Sequence, residues 1–203
     1  MKRGSIGQSL NRQSSIIRAL FFDVDGVLTD GRVYLSDDGR EFKVFDTKDG
    51  HGIKKAIAAG LKVAWISGRT SGATARRAKE LGVHACLQGV QDKLAKYEML
   101  CRRWRVQSDE TAAVGDDEPD VRMLAAAGFS ACPADAAPAA RRAARILLKN
   151  RGGRGAVREV VERVLALNRH SSPARSAGEG RSASRGAPGR PSRRPGSGNR
   201  SGR

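Results

Sequence analysis

Apolar positions in this chain gather into short runs, and the stretches between them carry helical spacing. Ile16–Phe22 is apolar except for Arg18 and is of strand length. A run of that kind reads as a strand buried on both faces, as in a parallel sheet. Lys62–Ile66, Ala85–Leu87 and Thr111–Val114 repeat the pattern, and Arg145–Leu148 reads as an edge strand. Helix-like segments lie between and after them, at about Gly52–Ala59, Ser71–Leu81, Gln91–Trp104, Glu118–Ala127 and Gly155–Leu167. Strands that alternate with helices predict an α/β three-layer sandwich with a mainly parallel sheet.

One segment breaks that alternation. Arg32–Leu35, the turn Ser36-Asp37-Asp38-Gly39 and Arg40–Phe45 have the period-two pattern and Asp-Gly turn of a β-hairpin. The hairpin, about residues 32–45, follows the first strand and should project over the sheet's carboxyl edge. Asp37 and Asp38 read as turn residues.

That edge is where open α/β sheets bind ligands, and polar residues stand at several strand ends. The first strand runs into Asp23-Val24-Asp25-Gly26, the second into Ser67-Gly68-Arg69 and the fourth into Gly115-Asp116-Asp117. Lys93 opens a helix after the third strand. Asp-x-Asp-Gly alone is also a common turn or a fragment of a calcium loop. Ser67 alone suits a turn, and Lys93 alone suits a solvated helix face. Asp116 and Asp117 suit helix N-caps, and Asp120 suits first-turn charge. In order and at strand ends, the set matches what phosphoryl transfer needs. One carboxylate attacks phosphorus and a second handles the proton. A hydroxyl and an ammonium bind the equatorial oxygens, and further acids hold a hard cation such as magnesium.

Composition limits the alternatives. The chain has 203 residues, 39% of them hydrophobic, and no apolar run of membrane-spanning length. Residues 1–15 lack the apolar core of a secretory signal, so a cytoplasmic protein is expected. Cys86, Cys101 and Cys132 form no paired motif, and the three histidines have no zinc-ligand spacing. Nine arginines against one glutamate in residues 168–203 supply +8 of the formal +17, and residues 16–167 carry +6. From Ser171 the chain is nearly all Ser, Gly, Pro, Arg and Ala, a composition that cannot offset its own ordering entropy. The expected organisation is a flexible N-terminus over 1–15, a folded domain over 16–167 and a disordered basic tail over 168–203.

Asp23-x-Asp25, Ser67, Lys93 and Gly115-Asp116-Asp117-x-x-Asp120 together resemble the four ordered motifs of the haloacid dehalogenase-like phosphatases. The resemblance spans roughly Ile16 to Leu167 and implies a Rossmann-like sheet. It makes Asp23 the nucleophile and Asp25 the general acid and base, with Ser67 and Lys93 on the transferring phosphoryl group. Magnesium would be held by Asp23, the Asp25 carbonyl and Asp116, with Asp117 and Asp120 in support. The interval between Asp25 and Ser67 leaves no room for a large cap domain.

Asp23–Gly31, Asp49–Lys54, Ile66–Arg69 and Gly152–Glu159 further resemble the 3-deoxy-D-manno-octulosonate 8-phosphate phosphatases of lipopolysaccharide precursor synthesis. That resemblance implies a homotetramer associating through its hairpins. It also implies substrate contacts from Arg69 and from a loop holding Gly50, His51 and Gly52. Arg154 and Arg158 would lie near a neighbouring subunit's site. A phosphatase for a related nine-carbon, sialic-acid-type sugar phosphate has the same motifs. A different class of function, nucleic-acid binding or scaffolding through the basic tail, rests on nine arginines without interleaved aromatics, which favours phosphate contacts over base stacking.

Overall fold

The computed structural model describes residues 15–171. β1 (Ala19–Phe22) leads to the hairpin strands β2 (Tyr34–Leu35) and β3 (Glu41–Phe42), then α1 (Thr47–Ala58). β4 (Lys62–Ile66), α2 (Gly72–Leu81), β5 (Ala85–Leu87) and α3 (Lys93–Trp104) follow. The chain continues through β6 (Thr111–Val114), α4 (Val121–Ala126), β7 (Phe129–Cys132), α5 (Pro138–Ala143), β8 (Ile146–Leu147) and α6 (Ala156–Ser171). The main sheet has the order β5-β4-β1-β6-β7-β8 with every pairing parallel. β1 lies at its centre, and the chain winds outward to β5 before crossing back to β6. That reversal opens a crevice beyond the carboxyl end of β1.

Strand alternation divides the core. Leu20 and Phe22 face one layer with Ile53 of α1 and Val157, Val160, Val161 and Val164 of α6. Ala19 and Phe21 face the other with Tyr97 and Leu100 of α3 and Met123 and Leu124 of α4. Because β1 is covered on both faces, all four of its residues are fully buried. Burial of a side chain the size of Leu or Phe contributes about 1.5–3 kcal/mol.

The expected sandwich, parallel sheet and hairpin are present, and several limits move. β1 begins at Ala19, three residues after Ile16. α1 begins at Thr47, because the Asp46 carboxylate caps the Lys48 N–H at 2.6 Å. Asp49–Gly52 therefore lies on a helix and forms no loop. α5 was not expected, and β7 only as a strand-like setting for Cys132; both are built largely from small residues that carry little periodic signal. α6 continues to Ser171, past Leu167, and the Asn168 side chain accepts from the Ile17 N–H at 2.8 Å and donates to the Ile17 carbonyl at 2.7 Å. The remainder of the expected basic tail and the N-terminus before Ser15 lie outside the described residues.

In the hairpin, Tyr34 pairs with Phe42 and Leu35 with Glu41. Phe42 and Val44 point outward, 57% and 62% exposed. By the period-two rule Glu41, Lys43 and Phe45 point inward, and Phe45 stacks on buried Trp65 with ring centroids 6.0 Å apart.

Candidate active site

The carboxyl edge of β1 is assembled by its two neighbours. Asp23 continues β1, donating its N–H to the Val114 carbonyl at 2.9 Å, and is only 5% exposed. Gly26 turns the chain at φ +92°, and a Cβ there would stand 2.1 Å from an Asp116 carboxylate oxygen. Only glycine permits both the turn and the approach of that acid. The far side of the turn is braced from the other end of the domain. Gly153 donates its N–H to the Val27 carbonyl at 3.0 Å, and a Cβ on Gly152 would sit 1.8 Å from the Gly26 carbonyl.

Lys93 enters from the N-terminus of α3, where Asp92 caps the Ala95 N–H at 3.1 Å. Its buried ammonium donates to Asp23 at 2.6 Å and to Asp120 at 2.7 Å. The other Asp120 oxygen accepts the N–H groups of Asp116 at 3.1 Å and Asp117 at 3.3 Å, which holds the β6 loop around the cluster. Asp117 is exposed and accepts the Glu118 N–H at 2.8 Å, so it caps the short 3-10 turn Glu118–Asp120. Ser67 lies buried at the end of β4, and its hydroxyl both accepts from the Arg69 N–H and donates to the Arg69 carbonyl at 3.1 Å.

Charge in this cluster is unbalanced. Asp23, Asp116 and Asp120 bring carboxylate oxygens within 4.8 Å of one another around a single ammonium. Burial, then the Asp120 charge, pushes Asp23 up to about 6 against the pull of Lys93. Burial, then Asp23 and Asp120, pushes Asp116 up to about 8. Burial works to lower the Lys93 pKa, but Asp23 and Asp120 outweigh it and hold the value above its ordinary range. Buried acids that repel one another in this way fit a site for a hard divalent cation, which oxygen donors of this kind prefer.

Of the expected residues, Asp23, Lys93, Asp116 and Asp120 meet directly, with Asp25 beside Asp23 and Ser67 at the next strand end. Gly50 and Gly52 lie elsewhere, buried where α1 packs on α2 and α6. Added Cβ atoms would stand 2.4 Å from the Arg77 guanidinium and 3.0 Å from the Arg158 backbone, respectively. His51 is exposed on α1. The Arg158 guanidinium is tied to Glu162 at 2.5 Å, and Arg154 is exposed in the loop before α6. Arg154 does act on the edge of the site. Burial works to raise the Asp30 pKa, but the Arg32 amide, the Tyr34 hydroxyl and the charges of Arg32 and Arg154 hold it below the ordinary range. Arg69 reaches across to the hairpin and pairs with Glu41 at 2.8 Å.

Two features escaped the sequence reading. Lys43 turns into the mouth of the site and pairs with Asp25, its side chain 3% exposed. The alternation of β3 was the available signal, since it puts Glu41, Lys43 and Phe45 on one face. The second is Asp49, 1% exposed, whose carboxylate accepts the N–H groups of Gly155 at 3.1 Å and Arg158 at 2.7 Å and so caps α6 from α1. No local pattern marks a partner more than a hundred positions away.

Among the described residues no helix is long and apolar enough to cross a membrane. The family model for haloacid dehalogenase-like hydrolases matches residues 88–160. The 3-deoxy-D-manno-octulosonate 8-phosphate phosphatase KdsC of Yersinia pestis is 38% identical over 80% of this chain and 87% of its own length. A Moraxella catarrhalis 3-deoxy-D-manno-octulosonate 8-phosphate phosphatase, solved with magnesium, phosphate and KDO, is 34% identical with a TM-score of 0.75. That match covers 79% of this chain and 92% of the other. A probable YrbI family phosphatase from Pseudomonas syringae is 41% identical with a TM-score of 0.75, covering 77% and 89%. Likeness at this level, spanning nearly the whole of each relative and joined to an acid cluster on the central strand, makes the chain a haloacid dehalogenase-like phosphoric monoester hydrolase belonging to the 3-deoxy-D-manno-octulosonate 8-phosphate phosphatase family.

Proposed function

We propose that this enzyme hydrolyses 3-deoxy-D-manno-octulosonate 8-phosphate to the free sugar acid and phosphate, with magnesium, through an aspartyl-phosphate on Asp23. The observation that carries the reading is the buried Asp23 carboxylate, held by Lys93 at 2.6 Å and facing two further acids. The sugar acid and the cation come from the names and contents of the relatives described above.

Asp23 presents its nucleophilic oxygen at the end of a rigid, fully buried strand, which limits the motion it must lose before attack. Lys93 and Ser67 bind the phosphoryl oxygens and orient phosphorus toward Asp23. Asp25, two residues on, delivers a proton to the departing sugar oxygen and later takes one from the attacking water. Asp23, Asp116 and the Asp25 carbonyl are the groups that would hold magnesium, and Asp120 steadies Lys93 and the β6 loop. Bound there, the cation neutralises charge that develops on the phosphoryl oxygens. Arg69, with His51 and with Arg154 and Arg158 near a neighbouring subunit's site, serves the sugar acid; Gly50 and Gly52, buried in helix packing, have no part in it.

A homotetramer in the cytoplasm completes the reading. Its support is the hairpin, where Val33, Leu35, Phe42 and Val44 are 49–68% exposed, more apolar surface than one small ribbon has use for. Light scattering after gel filtration measures the mass; a monomer at micromolar concentration refutes the assembly.

The test of function is phosphate release from a panel of sugar phosphates, with magnesium and then with EDTA. Metal-dependent release favouring the eight-carbon acid phosphate is the expected result. Preference for a nine-carbon acid phosphate overturns the substrate, and no release from any sugar phosphate overturns the reading.

A further inference from the structure

Lys43 has a setting unlike that of any other hairpin residue. Lysine keeps its ammonium in water unless something pairs it. This one is buried in the mouth of the site against the carboxylate of Asp25, with Glu41 3.3 Å away on its other side. The second Glu41 oxygen takes Arg69 at 2.8 Å, so a hydrogen-bonded chain runs Arg69–Glu41–Lys43–Asp25 from the end of β4 to the catalytic turn. Burial works to raise the Glu41 pKa, yet Arg69 and Lys43 hold it below the ordinary range. Phe45, stacked on Trp65, anchors the same face of the strand and so keeps Lys43 aimed inward.

We infer that Lys43 is a positioning residue for Asp25, and that Glu41 positions Lys43. The inference rests on the proposed role of Asp25 and extends it by making the hairpin part of the chemical machinery. A carboxyl on a turn has free rotation about χ1, whereas proton transfer needs it within hydrogen-bond reach of one oxygen. In the first half-reaction the Asp23–phosphorus bond forms and the bond from phosphorus to the sugar oxygen breaks. The electron pair leaves on that oxygen, and the Asp25 proton joins it to release the alcohol. In the second, water bonds to phosphorus, its proton passes to Asp25, and the Asp23–phosphorus bond breaks to release phosphate. Only the first step depends on how basic the leaving oxygen is. A sugar alkoxide needs the proton; p-nitrophenolate departs without it.

The test compares kcat/KM for 3-deoxy-D-manno-octulosonate 8-phosphate and p-nitrophenyl phosphate, using the magnesium-loaded full chain. This ratio covers steps only through the first irreversible one, so the water step does not enter. Lys43→Met is expected to lose about 10²-fold on the sugar phosphate, the lower end of what general-acid catalysis contributes, and under about tenfold on the aryl ester. Lys43→Arg should recover part of the loss, and Glu41→Gln should show the same selectivity more weakly. Asp25→Asn is the control. If it shows the selectivity and Lys43→Met loses equally on both substrates, or on neither, the inference is overturned while Asp25 keeps its role. If Asp25→Asn shows none, Asp25 is not the acid and the inference falls with that role. Should Lys43→Met fail to fold, Glu41→Gln decides alone: absence of selectivity there overturns the inference.

Discussion

Asp23 and Asp49 are both buried acids whose pKa values burial lifts to about 6, yet their surroundings differ in kind. Asp49 spends both oxygens on backbone N–H groups at the start of α6, where the helix dipole also favours negative charge. Asp23 faces Asp116 and Asp120 with one ammonium among them. A displaced pKa marks each alike; the count of partners separates them. Asp49 is satisfied by the fold, and Asp23 lacks a positive charge that the fold does not supply.

The largest effect should come from removing the nucleophile. Asp23→Asn is expected to lower kcat at least ~10⁴-fold, as loss of a covalent nucleophile does, with the melting temperature preserved. Substantial turnover by that variant would place the chemistry elsewhere. At Asp49 the balance should invert. Asp49→Ala removes two hydrogen bonds from a helix start and should cost about 1–2 kcal/mol, lowering the melting temperature by roughly 2–4 °C per kcal/mol. Turnover per folded molecule should stay close to the parent's; a variant of unchanged stability would deny Asp49 its capping role.

The acid cluster should also reveal itself through pH once metal is removed. A carboxyl whose folded pKa is raised adds stability below its unfolded value and loses it as pH climbs through the folded one. For Asp23 and Asp116 the unfolded value is near 3.8 and the folded values are about 6 and about 8. In EDTA the parent should therefore lose stability between about pH 4 and 9. Asp116→Asn should melt several degrees above it at pH 9, roughly 2–4 °C per kcal/mol relieved, with the gap closing as pH falls to about 4. Magnesium should raise the parent's melting temperature at pH 9 and barely move the variant's. A variant no more stable than the parent at pH 9 would remove the charge imbalance from the account. Deleting residues 172–203 should have the smallest effect, leaving kcat/KM on the sugar phosphate unaltered. A loss there would give the basic segment a part in turnover.

The same contrast explains what could be read from the residues in order. Asp23, Ser67 and Asp116 were legible because a buried strand has one carboxyl end and the sheet gathers those ends. Lys93 was legible only in their company. The loop that the resemblance implied at Asp49–Gly52 is helix instead, because the Asp46 cap and packing against α6 make it so. β7 and α5 were hard to read because Phe129–Cys132 and Pro138–Ala143 are four and six residues long, with few large apolar side chains to show a period. Lys43 and Asp25, 18 positions apart, meet only after the hairpin has folded back over the turn.

The loop at Gly152 and Gly153 carries a consequence for synthesis on the ribosome. A nascent chain that has reached Lys149 already holds every acid, the serine and the lysine of the site. It still lacks the backbone that closes on Gly26 and Val27, and α6 with its Asn168 tether to Ile17. The catalytic turn is translated well before α6, but its bracing by Gly152, Gly153 and the Asn168 tether comes only when that helix has been made and docked. A premature stop in that stretch would yield a protein with its chemistry written in full and its geometry unmade.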